Sequence, residues 1–482
     1  MSTSVPVRPR HLGAVLALLA FAQLIIAIDY NIVFVSLPEI GEGLGFSSQN
    51  LQWVVSAYAV AFGGFLLLGG RATDLFGRKR IFILGLFLYA SSSLVGGLAT
   101  APWLLIAARA VQGLGGAFLS PATLSLVTTL FREGAERNRA LSVWGGAGGS
   151  GMVLGSILGG LLTQVFGWAS VFYVNVIFAG AAMIVAVFLL PNDRSTTRGA
   201  FDLPGALTGT IASTLLVFAL VQGPEAGWAS PVVLTAFIVA VVLLAAFLVI
   251  ESRSRAPMVP LRLFTNRNLS VGVSITFLFM ATFGALAYFL TQFWQVAQGY
   301  SAWATGFAFV VPSGSVLIGT ILGGKSATKL GIRKTLVISL SMGVVGMVAL
   351  ALSVSEGVSY ATLVPSLAVL SLGQGMVFTN MFAAATTGIP ADDQGIGSGI
   401  ATTGQQIGGA VGLAVLIAIT ATASGETAGD PAALTDGVRT ATWLIAAGIG
   451  LTILVALNLR KSTPPSAEED EPEEVAPTVE KV

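Results

Sequence analysis

The sequence predicts an all-α integral membrane protein with fourteen transmembrane helices. Hydrophobic residues make up 54% of the 482 residues and charged residues only 10%, and the mean hydropathy is +0.85. Soluble globular domains carry about 25% charged residues. The continuous runs of Leu, Ala, Gly and Val favour helices, because the strands of a membrane β-barrel would appear as alternating segments of about ten residues.

Each predicted helix is an apolar stretch close to the roughly 20 residues that cross a bilayer core. The fourteen stretches cover approximately residues 12–38, 50–70, 80–99, 103–130, 140–165, 168–190, 203–222, 230–250, 269–292, 302–323, 335–354, 360–383, 399–421 and 437–459. The 58 glycines are consistent with this interpretation, because small residues let helices in lipid pack closely.

The distribution of Lys and Arg predicts the orientation of these helices. If the N-terminus is cytoplasmic, nearly all basic residues flank the membrane on the cytoplasmic side, and only Arg439 falls outside. The opposite loops carry acidic residues such as Glu39, Glu42 and Glu356. The expected protein is therefore a multi-pass protein of the cell membrane, plasma or inner, with both termini in the cytoplasm.

An internal repeat predicts the domain organisation. The glycines and basic residues of the loop at 69–80 recur in the loop at 323–334, and Gly113 and Gly115 recur as Gly373 and Gly375. Two homologous halves around a central site are typical of transporters. We predict a six-helix bundle at 1–190, two inserted helices with cytoplasmic linkers at 191–268, a second six-helix bundle at 269–460, and a disordered acidic tail at 461–482.

Several function classes have no support in the sequence. The net charge of +1 and the dispersed basic residues argue against nucleic-acid binding. Without Cys, and with His11 as the one histidine, neither a metal site nor a cofactor is expected. No nucleophile with its base and no Walker phosphate loop is visible, so we expect neither an enzyme nor ATP-driven transport. No obligate protein partner is evident; the lipid bilayer and a small amphipathic or hydrophobic substrate are the expected partners.

Asp29 and Arg109 are the ionisable residues that the prediction places well inside spans. Asp29 lies nine residues before Pro38 and Arg109 six residues after Trp103, at depths of about 13 Å and about 9 Å below the same surface. A buried carboxylate and a buried guanidinium lower each other's desolvation cost when they pair. The pair is either a static structural element or a proton carrier, and charges inside a membrane usually mark transport pathways.

These motifs resemble the major facilitator superfamily. The segment from Gly70 to Arg80 is similar to its signature loop, Arg109 with Gln112 and Gly113 to the fourth-helix motif of its proton-linked members, and the segment 29–38 to the first-helix motif of the fourteen-span drug:proton antiporters. The resemblance implies two six-helix bundles plus two additional helices and a proton-coupled exporter of hydrophobic or amphipathic compounds, with the proton as coupling ion. The alternatives are a facilitator or importer of a specific metabolite, and a membrane sensor that does not transport.

Two further groups carry predicted roles in gating and packing. The cytoplasmic loop and Arg139 are predicted to latch the halves together, or else only to fix topology; the group is Gly70, Asp74, Gly77, Arg78, Lys79, Arg80 and Arg139. The fifth span resembles the antiporter motif of the family, but Ser156 stands where that motif has proline; the group is Gly151, Gly155, Ser156, Gly159 and Gly160. Three of these glycines share one helix face, which favours close packing.

The substrate cavity is predicted from polar and aromatic residues within apolar spans. Few fixed polar groups favour bulky amphipathic molecules over sugars. The predicted lining residues are Gln23, Asn31, Phe34, Tyr58, Gln112, Phe283, Tyr288, Gln292, Trp294, Gln295, Phe378, Asn380 and Gln405.

Overall fold

The structure is a computed structural model that describes residues 11–47, 50–131, 135–191, 202–254, 257, 259–389, 394–423 and 431–460. These residues form fourteen helices and no β-strand, so the predicted all-α membrane fold is confirmed. The helices are α1 (Leu12–Leu44), α2 (Trp53–Phe76), α3 (Arg78–Gly97), α4 (Pro102–Leu130), α5 (Ala135–Phe166), α6 (Ser170–Leu189), α7 (Leu203–Ala226), α8 (Pro231–Arg253), α9 (Arg267–Ala297), α10 (Ala302–Leu330), α11 (Ile332–Ser353), α12 (Tyr360–Thr386), α13 (Gln394–Ala423) and α14 (Pro431–Ala456). The predicted acidic tail, 461–482, lies outside the described residues.

The helices follow the predicted spans in order. Thirteen of them are long and apolar enough to cross a membrane within the described part of the chain. The exception is α2, where the apolar segment, Asn50–Leu66, is shorter.

The first helix is longer than predicted, and the depth assigned to Asp29 on that basis changes with it. α1 passes through Pro38 and ends at Leu44, so Pro38 does not mark its outer end. Proline removes one backbone donor but its fixed φ suits a helix, and the chain continues for six residues. Gly45 then ends the helix in the left-handed conformation, with φ 68°, and Phe46 N–H donates to the carbonyl of Gly41.

Some of the helices begin with a side-chain cap. The hydroxyl of Ser230 accepts from the Val233 N–H, and Pro231 occupies the first turn of α8. The side chain of Asn266 accepts from two backbone N–H groups of the first turn of α9. Such caps satisfy donors that the helix itself leaves unpaired.

Packing divides the helices into two groups and an inserted pair. α1 packs on α5, and α4 on α2 and α3, while α12 packs on α10 and α11, and α13 on α9. α7 contacts α2 of the first group and α13 of the second, so it lies along the seam between the groups, and α8 packs on α7. The proposed domain boundaries remain a prediction, because helix contacts alone do not fix them.

α9 is interrupted by two π-helical turns, at Met280–Gly284 and at Phe293–Ala297. Both turns contact α1: Tyr30 Oη lies 3.8 Å from Met280 Sδ, and Gln295 Nε2 donates to the carbonyl of Val35 at 2.6 Å. π-helical turns occur often at functional sites. Here they bring the second group of helices against α1, the helix that carries Asp29.

Candidate functional site

Asp29 and Arg109 form an ion pair inside the first group of helices. Arg109 Nη1 lies 2.8 Å from Asp29 Oδ2, and the two side chains are 2% and 0% exposed. Because the carboxylate is fully buried and the guanidinium almost fully, each charge depends on protein groups for its stabilisation. Sequence reasoning identified both residues, and the structure brings them together.

Three further polar side chains complete the environment of Asp29. Gln112 Nε2 donates to Asp29 Oδ1 at 2.9 Å, and Asn175 Nδ2 donates to the same oxygen at 2.7 Å. Gln112 is itself fixed, since its Oε1 accepts from Arg109 Nη1 at 2.6 Å and its Nε2 also donates to Ser93 Oγ at 2.9 Å. Helices α1, α3, α4 and α6 therefore meet in one buried hydrogen-bond network around the carboxylate.

The remaining faces of the Arg109 guanidinium are held by α2. Its Nε donates to the carbonyl of Val54 at 2.8 Å, and its central carbon lies 4.4 Å from the centre of the Tyr58 ring. A cation over an aromatic face is attracted by the ring quadrupole. α2 and α4 can come this close because Gly113 has no side chain. A Cβ at this position would collide with the carbonyl of Tyr58.

Glycines of α5 let that helix approach α1 on either side of Asp29. A Cβ at Gly151 would lie 2.6 Å from Ala27 Cβ, one at Gly155 2.6 Å from the Ile28 carbonyl oxygen, and one at Gly159 2.8 Å from the Ile32 carbonyl oxygen. Only glycine fits such distances without displacing backbone. The face of α5 that these three glycines share therefore packs directly against α1, the helix that carries Asp29.

The opposite face of α5 meets α10 along part of its length. A Cβ at Gly160 would lie 2.6 Å from the Ala302 carbonyl oxygen, and the Ser156 carbonyl oxygen would lie 2.6 Å from a Cβ at Gly306. A Cβ at Gly149 would lie 2.8 Å from the side chain of Leu317, whereas a Cβ at Gly145 would meet nothing within 4 Å. The two helices thus touch from the level of Gly160 to that of Gly149, whereas Gly145, about one turn nearer the start of α5, adjoins open space. Ser156 is buried in this contact.

The basic loop packs against its own group of helices. Gly77, with φ 95°, separates α2 from α3. Arg78 Nε donates to Ser125 Oγ on α4 at 2.9 Å, and Lys79 Nζ donates to the carbonyls of Val187 and Leu190 at 2.8 and 2.7 Å. Lys79 therefore caps the end of α6, where a cation is favoured by the exposed carbonyls.

Among the described residues of the predicted latch, Gly70, Arg80 and Arg139 show no contact between the halves. Gly70 is half-buried in α2, and Arg80 and Arg139 are exposed. The side chain of Asp74 lies outside the described residues.

The predicted cavity residues are distributed over both groups of helices. Trp294 packs with Phe309 and Tyr360, and Asn380 donates to the carbonyls of Gly323 and Met376. The buried members of the set are Phe34, Tyr58, Gln112, Phe283, Tyr288, Trp294, Asn380 and Gln405. The partly exposed members are Gln23, Asn31, Gln292, Gln295 and Phe378. Of the whole set, Gln112 and Tyr58 contact the Asp29–Arg109 pair, and the cavity itself stays a prediction.

Sequence reasoning missed Ser93 and Asn175. Asn175 is a single amide in the apolar run 168–190, and that isolation was an available signal. Its role depends on which way α6 faces, and the period of so uniformly apolar a helix does not show this. Ser93 lies in a run of three serines, so sequence alone does not single it out.

Comparison with known proteins defines the family. The model of the Major Facilitator Superfamily matches residues 19–413. The chain is 35% identical to the puromycin resistance protein pur8 of Streptomyces alboniger over 93% of this chain and 90% of the relative. It is 36% identical to the cephamycin export protein CmcT of Amycolatopsis lactamdurans, with 93% of each chain covered. It is 33% identical to the multidrug resistance protein Stp of Mycobacterium tuberculosis, over 81% and 72% of the two chains.

Solved structures show the same fold at low identity. A crystal structure of the peptide transporter POT in complex with sulfate superposes with a TM-score of 0.66 at 17% identity, covering 95% of this chain and 97% of the other. The nucleoside transporter NupG superposes with a TM-score of 0.66 at 11% identity, covering 93% and 100%. Together with the buried charge network and the two groups of helices, these matches establish that this chain is a multi-pass membrane transporter that belongs to the Major Facilitator Superfamily.

Proposed function

We propose that this protein exports small hydrophobic or amphipathic compounds, antibiotics among them, in exchange for protons. Relatives that match over most of the chain are named for puromycin resistance, cephamycin export and multidrug resistance, which supports this substrate class. The proposal includes a cell-membrane location with both termini in the cytoplasm, as the distribution of Lys and Arg favours. It needs no cofactor other than the proton.

The observation that carries the proposal is the complete burial of Asp29 beside Arg109. Water access and the distance to a cation both govern how tightly a carboxylate holds a proton. A cycle that opens this site first to one side and then to the other would therefore load and release a proton at Asp29. Protonation of Asp29 would favour one arrangement of the helices, and bound substrate would favour the other. This difference couples the proton flux to the substrate flux.

The helix contacts support alternating access about this site. α5 and α10 touch from Gly160 to Gly149, whereas Gly145 adjoins open space, and the contacts of α9 with α1 lie in the half of α1 that follows Asp29. With the proposed orientation, these contacts lie towards the outside, as expected of a state that is open to the cytoplasm. Such a state would collect a substrate for export.

The second candidate is transport or sensing without proton coupling. It is favoured by the number of donors to Asp29, because a carboxylate with this many partners is also suited to a static structural role. A facilitator or importer of one metabolite would fit the same fold. Only flux measurements separate these functions.

The test is transport in proteoliposomes containing the purified full chain. An imposed pH gradient should drive accumulation of ethidium, a lipophilic cation, and of a neutral amphiphile, and collapsing the gradient should stop it. Asp29→Asn should abolish uphill transport, whereas the matched control Asp436→Asn, an exposed carboxylate paired with Arg439, should leave it unchanged. Uphill transport at the original rate by Asp29→Asn would move the coupling site elsewhere, and equal fluxes with and without a gradient would favour the facilitator.

A further inference from the structure

Asn175 stands out among the partners of Asp29 because one end of its amide is unused. The side chain is 0% exposed, and its Nδ2 donates to Asp29 Oδ1 at 2.7 Å and to the carbonyl of Val171 at 3.2 Å. Its Oδ1 is buried without a hydrogen-bond partner. A buried acceptor without a donor costs free energy of folding. This oxygen therefore either accepts a hydrogen bond in another state of the protein or lowers its stability.

The second amide in the network has no such freedom. Gln112 Oε1 accepts from Arg109, and Gln112 Nε2 donates to Ser93 as well as to Asp29. Rotating the Gln112 amide would place its N–H groups against the guanidinium N–H groups. Gln112 is therefore fixed in one orientation, and Asn175 is not.

The two protonation states of Asp29 make opposite demands on its neighbours. A carboxylate only accepts hydrogen bonds, and in the structure its Oδ1 accepts from Gln112 and Asn175 while its Oδ2 accepts from Arg109. A protonated carboxyl carries an O–H donor that needs an acceptor. Arginine offers none, and the acceptor of Gln112 is already occupied by Arg109.

We infer that Asn175 is a positioning residue that follows the protonation state of Asp29. It donates through Nδ2 to the carboxylate, and after a half-turn of its amide it accepts through Oδ1 from the carboxylic acid. One proton from bulk water adds to Asp29 Oδ1 and forms an O–H bond, and the return step gives the proton back to water. This inference rests on the proposed function, in which Asp29 carries the proton.

The titratable and charged groups around Asn175 come from the helices that pack on α6 and from the two that hold Arg109. α6 packs on α1, α3 and α5. α1 contributes Asp29, α3 the buried Tyr89, and α5 its glycine-rich stretch at this level, while Arg109 approaches from α4 with Tyr58 of α2 beside it. Tyrosine and arginine side chains ordinarily keep their protons up to about pH 10. A pH dependence of transport below that value that disappears in Asp29→Asn therefore reports on the Asp29 network.

The test compares Asn175→Leu with Asn268→Leu in the full chain. Asn268 is the matched control, because it is a buried asparagine in α9 whose side chain accepts from the Arg460 N–H and which belongs neither to the Asp29 network nor to the predicted cavity. The readout is the pH midpoint of gradient-driven ethidium transport in proteoliposomes. A charge-assisted hydrogen bond is stronger than a neutral one, so loss of Asn175 penalises the carboxylate more than the acid. The midpoint should rise by about one pH unit in Asn175→Leu and stay unchanged in Asn268→Leu.

Infrared difference spectra between low and high pH provide the second readout. The unmodified protein should show a carboxylic-acid band that disappears in Asp29→Asn, together with a side-chain amide band that disappears in Asn175→Leu. Asn175→Ser keeps a group that can both donate and accept, so it should restore part of the midpoint and serves as the folded variant if leucine is not tolerated.

The measurements distinguish failure of the proposed function from failure of the role inferred for Asn175. If Asp29→Asn still transports uphill, the proposed function falls. If Asp29→Asn abolishes coupling while Asn175→Leu and Asn175→Ser keep the original midpoint and amide band, Asn175 is only a packing residue and this inference alone is overturned.

Discussion

Gly155 on α5 faces the carbonyl of Ile28, the residue that precedes Asp29, so closely that an added Cβ would lie 2.6 Å from that oxygen. The same Cβ would lie 3.1 Å from Asn31 Cβ. The position of the Asp29 network thus depends on a glycine that belongs to a different helix and makes no polar contact with the carboxylate.

Gly155→Ala should destabilise the protein and reduce transport. The new methyl group would collide with backbone atoms of α1, which cannot move without disturbing the helix. We therefore expect the free energy of unfolding to fall by about 1–3 kcal/mol, which outweighs the better helix propensity of alanine. The measurement is thermal unfolding in detergent, with ethidium transport alongside. Gly145→Ala is the control, because its Cβ meets nothing within 4 Å. Equal melting temperatures for the two variants would contradict close packing of α5 on α1.

Arg109→Ala should be more damaging than Arg109→Ala combined with Asp29→Asn. The single change leaves a buried carboxylate without its cation, and breaking a buried pair in this way costs about 3–5 kcal/mol. The double variant removes the orphaned charge, so unfolding measurements should show part of the stability restored while uphill transport stays absent. A double variant no more stable than the single one would show that the guanidinium acts through packing alone.

Lys79→Ala should lower stability, while Arg80→Ala should not. Both changes remove one positive charge from the same loop, so both have the same effect on topology, but only Lys79 donates to the last carbonyls of α6 among the contacts described. We expect a loss of about 1 kcal/mol for Lys79, measured by thermal unfolding. The capping role would be refuted by equal losses for the two variants.

Asp74→Asn should increase access from the cytoplasm if the basic loop forms a latch in another state of the cycle. The chain has no cysteine, so Gly145→Cys supplies one reporter at a position with open space. Its labelling rate by a membrane-impermeant maleimide, applied from the cytoplasmic side, should rise in the Asp74→Asn background. An unchanged rate would argue against a latch.

Reporter fusions test the orientation. Reporters placed after Arg198 and after Arg267 should both be cytoplasmic, and one inserted near Gly227, between α7 and α8, should be external. Opposite locations for the first two would disprove a pair of inserted helices.

The sequence by itself determined the all-α membrane fold, the order of the helices and the two charged residues at the site. These follow from local physics, because a bilayer core requires long apolar helices and makes an ionisable residue such as Asp29 or Arg109 conspicuous. The glycine spacing of α5 likewise indicated a packing face. The end of α1 was placed too early, because a proline is a weak stop signal when the helix can lose one hydrogen bond.

Only the tertiary structure decided which neighbours the charged pair has. Asn175 lies on an almost uniformly apolar helix, and the direction in which such a helix faces depends on its partners rather than on its own pattern. The same holds for Lys79, which the sequence marks as a cation at the membrane edge and the structure places on the end of α6. The sequence specifies what each segment is, whereas helix packing specifies which groups meet, because contacts between distant segments depend on the orientation of both.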